Sequence, residues 1–176
     1  IKMDRSVPNV ISGVGHKVRI PKSLPCINIG FSTELGDFVI TSEFISHPGP
    51  TLGYRVAYGA KTVCYLPDHE PIIGRSRLYS EDEWISGFDL AHEADLLIHD
   101  SQYTKKEYKS KPGWGHSSIE LAARFCGRTD AKRLILFHHD PMHTDAQIQK
   151  MFDKLLKKTD YGFPIALAVQ GQEIEV

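Results

Sequence analysis

Two short apolar runs, at residues 95–100 and 133–137, constrain the fold of this chain more than any other feature. Charged residues flank the first run, and His138 follows the second. Both runs are too short for an ordinary helix. A segment with helical periodicity follows each run, at residues 117–126 and 144–158. Buried strands that alternate with helices are typical of parallel strands in an α/β protein. We therefore predict an α/β fold in which helices flank a mixed sheet.

The first half of the chain is dominated by strand patterns. Residues 37–45 alternate apolar and polar side chains, and Gly59-Ala60 separates two β-rich segments that predict a hairpin. We expect a single domain over residues 1–176, with residues 1–25 as a loosely structured lead-in. The remaining predicted elements are strands at 17–20, 26–31, 53–58, 61–66, 165–169 and 173–176 and a helix at 80–92 that Ser80 caps.

Composition excludes several classes of protein. The 21 Lys and Arg residues nearly balance the 22 Asp and Glu residues, which argues against general nucleic-acid or membrane-surface binding. No apolar run reaches the roughly 18–20 residues that cross a bilayer. Cys26, Cys64 and Cys126 are isolated, which suits a reducing compartment and disfavours a thiolate zinc site. We predict a cytoplasmic protein without a membrane partner.

Polar side chains collect just after the predicted strands. In an open α/β sheet ligands bind beyond the strand ends, and histidine with carboxylate is a ligand set for zinc, manganese or iron. A metal site at this edge is therefore one interpretation. The residues in question are His47, Asp68, His99, Asp100, His138, His139 and Asp140.

Several of these residues also have a plainer interpretation. His47 could be a loop histidine before a Pro-Gly turn, and Asp68 a turn residue after Pro67. For His99 we favour a satisfied, partly buried histidine at a strand end. His138 and His139 point to opposite sides of an extended chain, so at most one of them is a ligand.

A Gly-Trp-Gly-His segment ends at His116, just before the helix that Ser117 is expected to cap. A histidine beside the free N–H groups of a helix N-terminus can face an anionic substrate. The alternative is a capping loop that Trp114 anchors.

Taken in order, five motifs resemble the metallo-β-lactamase-fold hydrolases, and most closely the phosphodiesterase branch that includes ribonuclease Z and cyclic phosphodiesterases. The resemblance runs from about residue 37 to residue 158 and implies the C-terminal half of an αββα sandwich. The motifs are S-H-P-G-P-T-L-G-Y-R, Y-L-P-D-H-E-P, A-D-L-L-I-H-D-S-Q-Y-T, G-W-G-H-S-S and L-I-L-F-H-H-D-P-M-H-T-D.

The resemblance implies a role for each matching position. His47, Asp68 and His138 would be metal ligands, and Asp68 would also bridge two divalent ions and so take part in catalysis. His116 would be catalytic, contacting the scissile phosphate or protonating the leaving oxygen. The residues expected to line the mouth or to support the ligands are His69, Asp100, His139 and Asp140. Zinc is the first choice of metal, with manganese or iron as alternatives.

One expected motif is missing. Such enzymes carry an H-x-H-x-D-H motif in the N-terminal half of the fold, and no H-x-H occurs in this sequence. We therefore expect that the N-terminal half of the fold is absent and that this chain alone is inactive. Either that half or a homodimer mate would complete the site.

The predicted function is metal-dependent hydrolysis of a phosphodiester, with a small phosphodiester or a nucleotide as substrate. Two alternatives remain open from the sequence. The same fold hydrolyses lactones and thioesters, and the chain could instead be a non-catalytic regulatory or scaffold module.

Overall fold

The computed structural model describes residues 10–13, 16–19, 30, 32–78 and 81–176. The predicted strand at 26–31 and the predicted cap Ser80 lie outside the described residues, as does most of the 1–25 segment. A two-stranded antiparallel sheet pairs β1 (Val10–Gly13) with β2 (His16–Arg19), which contains most of the strand predicted at 17–20.

A seven-stranded mixed sheet forms the centre of the fold. The first four strands are antiparallel, and the last three continue the sheet in parallel, as the two apolar runs predicted. In spatial order the strands are β3 (Ser32–Leu35), β4 (Phe38–Phe44), β5 (Leu52–Tyr58), β6 (Lys61–Leu66), β7 (Leu96–Asp100), β8 (Leu134–Phe137) and β9 (Ile165–Leu167).

Helices cover one face of this sheet. The chain forms a 3₁₀ turn (Asp82–Trp84) followed by α1 (Phe88–Ala91), α2 (Lys105–Tyr108), α3 (Ile119–Arg128) and α4 (Asp145–Lys158). Helix α3 packs on β7 and β8, and α4 packs on α3. Thr144 caps α4 in a capping box with Gln147, which fixes the start of that helix as predicted. None of the helices in the described part of the chain has the length and apolar character needed to cross a bilayer.

Successive side chains of β7 lie on opposite faces of the sheet. Leu97 and His99 face the helices, where His99 contacts Phe125 of α3, while Ile98 lines the opposite face of the sheet. The core under the helices is built from fully buried side chains of β6, β7, α3 and β8. They include Leu66, Leu97, Ala122, Phe125, Leu134 and Leu136.

Several predicted elements need correction. The helix predicted at 80–92 is two short pieces, because Gly87 has a left-handed backbone (φ 71°) and packs against Leu66 and His69. Ser118, not Ser117, caps α3, because the Ser118 hydroxyl accepts the Leu121 N–H, whereas the Ser117 hydroxyl donates to the His69 carbonyl at 2.7 Å.

The strand predicted at residues 173–176 is also wrong. After β9 the chain turns at Val169, whose carbonyl accepts a hydrogen bond from the Gln172 N–H. The tail beyond this turn makes no strand ladder in the described structure, and Arg133 reaches it through a single bond to the Glu175 carbonyl.

Candidate metal centre

The carboxyl ends of parallel strands bring acidic and histidine side chains to one edge of the sheet. Asp68 follows β6, Asp100 ends β7, and His138 follows β8. β4 has the same direction as β6, because both are antiparallel to β5, so His47 lies at this edge as well. His116 comes from the loop before α3. The fold thus brings residues from five separate segments to one place.

The carboxylate of Asp100 is the centre of this cluster. It is fully buried, and its Oδ2 accepts hydrogen bonds from Nδ1 of His116 at 2.7 Å and Nδ1 of His138 at 3.2 Å. Its Oδ1 accepts the backbone N–H groups of Gln102 and Ser117, both at 3.1 Å. Burial alone would raise the pKa of Asp100, but the hydrogen bonds from the two histidines outweigh burial and lower this pKa. Asp100 is therefore an ionised carboxylate at neutral pH.

Asp100 also fixes the protonation pattern of both rings. An ionised carboxylate only accepts, so Nδ1 of His116 and of His138 carries the proton, and Nε2 of each neutral ring keeps a lone pair. Nε2 of His138 lies 3.4 Å from Oδ1 of Asp68. The pKa of His138 is raised, chiefly by the hydrogen bond to Asp100 and less by the charge of Asp68, with burial acting against both. This corner of the site attracts positive charge, either a proton or a cation.

The donor set fits a divalent metal ion. Ligand atoms of Asp68, Asp100, His116 and His138 all lie within 4.8 Å of one another. Imidazole nitrogen and carboxylate oxygen are donors that zinc and manganese accept. Because both oxygens of Asp100 already accept hydrogen bonds, Asp100 suits the supporting position of a carboxylate that orients histidine ligands. That leaves Asp68, His116 and His138 to face a cation.

His47 lies beside this cluster with one nitrogen turned to its own loop. Its ring centroid is 5.4 Å from that of His116, and Gly115 packs so closely that a Cβ there would lie 2.2 Å from His47 Cδ2. Nδ1 accepts the Gly49 N–H at 3.1 Å and lies 3.1 Å from Oγ1 of Thr51. Coordination through Nε2 would require the other tautomer, with Nδ1 donating to the Gly49 carbonyl at 3.3 Å. The ligand role of His47 stays a prediction.

The ring of His69 lies in the core, so of the two positions expected for it, lining the mouth or supporting the ligands, the structure is compatible only with the second. Its Nδ1 is 2.9 Å from Nε2 of His99, whose own Nδ1 donates to the Asp100 carbonyl at 2.6 Å, and both rings pack on Phe125. Burial, and secondarily His99, hold the pKa of His69 well below its usual range. Only the backbone of His69 reaches the cluster, since its N–H donates to Asp100 Oδ2 at 3.3 Å.

His139 and Asp140 lie on the loop after β8, outside the group of four. Asp140 Oδ2 is 3.4 Å from Nζ of Lys111, and its other oxygen accepts a backbone N–H within its own turn. His139 is half-buried, and burial together with the neighbouring His138 and His143 lowers its pKa.

The backbone at His138 departs from simple strand alternation. His138 has a left-handed conformation (φ 57°), so β8 ends at Phe137 and the His138 ring turns towards Asp100 and Asp68. A non-glycine residue in this region is uncommon and costs free energy. The contacts that His138 makes with the two carboxylates hold this conformation in place.

Sequence reasoning missed Glu70, a fully buried carboxylate that positions the loop before His116. Its oxygens accept the N–H of Gly113 at 3.0 Å and of Gly115 at 2.9 Å, and the Tyr108 hydroxyl donates to it as well. Because His116 follows Gly115 directly, Glu70 fixes where the His116 ring enters the cluster. The available signal was a second carboxylate in the P-D-H-E-P motif, two residues after Asp68.

Comparison with known families agrees with this geometry. The family model described as the beta-lactamase superfamily domain matches residues 26–139, which is more than half of the chain. The chain belongs to this superfamily. The match includes every residue of the group of four and confirms the resemblance that the sequence motifs indicated.

Several relatives of this chain are ribonuclease Z proteins. The chain is 26% identical to ribonuclease Z from Thermoplasma volcanium over 64% of this chain and 48% of that protein. It is 33% identical to ribonuclease Z from Prochlorococcus marinus (strain NATL1A) over 53% of this chain and 30% of that protein. The chain thus spans about half or less of the length of these relatives.

Solved structures show the same fold. The metallo-beta-lactamase fold protein YhfI from Bacillus subtilis superposes with a TM-score of 0.60 at 21% identity, covering 81% of this chain and 51% of that one. The short form of human tRNase Z superposes with a TM-score of 0.51 at 29% identity, covering 62% of this chain and 38% of that one. These neighbours confirm the predicted metallo-β-lactamase architecture and the mixed sheet with helices.

Proposed function

We propose that this chain carries part of the active site of a metal-dependent phosphodiesterase. The observation that carries the proposal is the buried Asp100 carboxylate, which holds Nδ1 of both His116 and His138 and leaves their Nε2 atoms available beside Asp68. Ring orientation by a buried carboxylate is typical of histidine metal ligands.

The residues of the chain have distinct tasks in this proposal. His47, Asp68 and His138 would hold the metal, with Asp68 shared by two divalent ions, and zinc is the first choice. When bound, such ions lower the pKa of a coordinated water and stabilise the charge that develops on the phosphate. His116, whose Nδ1–H is fixed on Asp100, would carry or release a proton at Nε2 and so assist the leaving oxygen.

The substrate class rests on two supports. The relatives that carry the name ribonuclease Z support a phosphodiester as the bond that is cleaved. The position of His116 is the second support: its ring is partly exposed and its Nδ1 lies 4.0 Å from Oδ1 of Asp68, so a phosphate held beside Asp68 would be within reach of this ring. A nucleotide or another small phosphodiester meets both conditions.

A complete site needs more ligands than the group of four provides. With His116 kept for proton transfer, His47, Asp68 and His138 would offer three donor side chains to two ions, and the sequence contains no H-x-H motif. We propose that the N-terminal half of the fold, or a second copy of this chain, supplies the remaining ligands. The chain alone is then expected to be inactive.

The thiols suit the predicted cytoplasmic compartment. Cys64 and Cys126 are free and buried, and burial raises the pKa of Cys126 to about 12. Thiols of this kind are unreactive and need no oxidising environment.

The test is phosphodiesterase activity on bis(p-nitrophenyl) phosphate with zinc or manganese, for the chain alone and mixed with a separately expressed half that carries H-x-H-x-D-H. We expect activity only in the mixture, and at least a 100-fold loss with Asp68→Asn. The matched control is Asp153→Asn, an exposed carboxylate of α4 outside the group of four. Unchanged activity of Asp68→Asn would contradict the proposal. If the mixture hydrolysed a lactone or a thioester instead, the bond that the enzyme cleaves would not be a phosphodiester. If it hydrolysed none of these esters, the result would favour a non-catalytic module.

A further inference from the structure

A groove lined with lysines lies between α2, the start of α3 and α4. Its volume is about 560 Å³, and we call it the lysine groove. Its floor includes the apolar side chains of Ile119, Met151 and Leu155. Six of the chain's 13 lysines line it: Lys105, Lys106, Lys109, Lys150, Lys154 and Lys158.

The positive charge of this groove is only partly balanced, because six lysines line it but only two glutamates, Glu107 and Glu120. None of the six lysines has a carboxylate oxygen within 4.0 Å among the described residues, whereas Lys111 and Lys132 outside the groove are both paired. The two glutamates of the groove already have partners. Glu107 accepts from Thr104 and lies 2.8 Å from Nε2 of His143, and Glu120 accepts the Lys105 backbone N–H. The groove therefore has a local cationic excess that the chain's balanced net charge conceals.

The lysines of α4 form a regular row. Lys150, Lys154 and Lys158 recur every four residues, so they share one helix face with about 6 Å between successive Cα positions. That interval is comparable to the distance between successive phosphates of an extended nucleic-acid strand. Lysine ammonium groups are flexible point charges that bind phosphates without reading sequence.

One lining residue connects the groove to the candidate metal centre along the chain. His143 belongs to the loop between β8 and α4, the same loop that begins with His138. A strand bound along α4 would therefore approach the cluster from the side of this loop.

We infer that the lysine groove binds the phosphate backbone of a single-stranded RNA segment, next to the phosphodiester held at the metal centre. The concave shape disfavours a flat membrane surface, and the even row of charges matches a phosphate chain better than the irregular spacing of carboxylates in an acidic peptide. The direction of the strand rests on the proposed function, but the binding itself needs no metal. The groove would thus anchor substrate outside the reacting atoms.

The test is the binding of a fluorescein-labelled 12-nucleotide single-stranded RNA, measured by fluorescence anisotropy in EDTA between 50 and 200 mM salt. The variant Lys150→Glu/Lys154→Glu is compared with Lys61→Glu/Lys157→Glu. Both change the net charge by −4, and Lys61 and Lys157 are exposed but do not line the groove. We expect at least a tenfold weaker affinity for the groove variant and less than a twofold change for the control. The slope of log K against log salt should become less steep by about 1.4, since each lost phosphate contact contributes about 0.7 for single strands.

A milder variant and two competitors complete the design. Lys150→Gln/Lys154→Gln removes the charges without adding repulsion, and a smaller loss in the same direction is expected. Equal losses in the groove and control variants would overturn the inference. It would also be overturned if the wild-type chain did not bind RNA, or if polyglutamate or phosphatidylserine vesicles bound more tightly than RNA. Because EDTA removes any metal, these outcomes are independent of whether Asp68→Asn abolishes phosphodiesterase activity.

Discussion

Replacing Asp100 by Asn should damage both the stability of the fold and the metal centre. The amide keeps one acceptor oxygen but puts an NH₂ group where the second oxygen stands. That oxygen, Oδ2, now accepts from His116, from His138 and from the His69 N–H. In Asp100→Asn the NH₂ group faces these donors, so the rings must turn away or change tautomer.

The structure sets the size of the effect. Asp100 is fully buried, and hydrogen bonds to a buried charged group contribute about 1.5–3 kcal/mol each. Breaking a buried charged pair costs about 3–5 kcal/mol in total. We therefore expect the free energy of unfolding to fall by about 3–5 kcal/mol, which corresponds to about 6–20 °C in Tm for a domain of this size. Losing a carboxylate that orients metal ligands should weaken zinc binding about 10- to 100-fold.

The assay is urea denaturation of the metal-free chain, followed by zinc titration against a chromophoric chelator under folded conditions. Asp140→Asn is the control. Its carboxylate is partly exposed and makes one weak ion pair with Lys111 at 3.4 Å. Its other oxygen accepts the Met142 N–H, which the amide oxygen of Asn can still accept, so the change should cost less than about 1 kcal/mol.

A specific result would refute this reasoning. If Asp100→Asn matched Asp140→Asn in unfolding free energy and bound zinc within threefold of the wild type, Asp100 would not be the centre of the cluster. Loss of stability with unchanged zinc affinity would leave Asp100 a structural role only.

Two further predictions follow from the same structure. Gly113 and Gly115 both have positive φ, but only a Cβ at Gly115 would collide with the neighbouring histidine ring. Gly113→Ala should therefore lower the free energy of unfolding by about 1 kcal/mol through backbone strain. Gly115→Ala should lower it by at least about 2 kcal/mol more, which is the scale of overpacking. Urea denaturation measures both, and equal losses would show that the close contact is absent. The second prediction concerns pH. Burial lowers the folded-state pKa of His69 and His99, so the unfolded chain binds protons first as the pH falls below about 6.5. The unfolding free energy of the metal-free chain should then decrease between pH 7.5 and 5.5, by up to about 1.4 kcal/mol per pH unit for each histidine. The raised pKa of His138 opposes this trend, but with one proton only. An unfolding free energy that stays constant or increases as the pH falls would contradict the presence of buried neutral histidines.

The sheet was largely predictable from local patterns. The apolar runs became β7 and β8 because a short, fully apolar segment between charged residues can be buried on both faces only as a central strand. The helix predicted at 80–92 failed because Gly87 adopts a left-handed backbone under tight packing against β6, which periodicity does not reveal. Tertiary contact outweighed local propensity there.

The sequence predicts which residues form the site better than it predicts how those residues are arranged. Sequence order places Asp68 and His138 after parallel strands, which the fold necessarily brings to one edge. The central position of Asp100 depends on hydrogen bonds from three different segments, and the orientation of His138 depends on a left-handed backbone at one residue. Neither of these two features can be inferred from the spacing of residues in the sequence. The inward turn of the His69 ring is likewise set by packing on Phe125.

The most direct test of the central claim is long-range ¹⁵N NMR of the histidine rings during a zinc titration. Before zinc is added, His116 and His138 should show protonated Nδ1 and unprotonated Nε2 at pH 8, as donation to Asp100 requires. Zinc should then shift the Nε2 resonance of His138, leave its Nδ1 proton in place, and leave His69 and His99 unaffected. A His138 ring protonated at Nε2, or one that does not respond to saturating zinc, would contradict the assignment of this sheet edge as a metal centre.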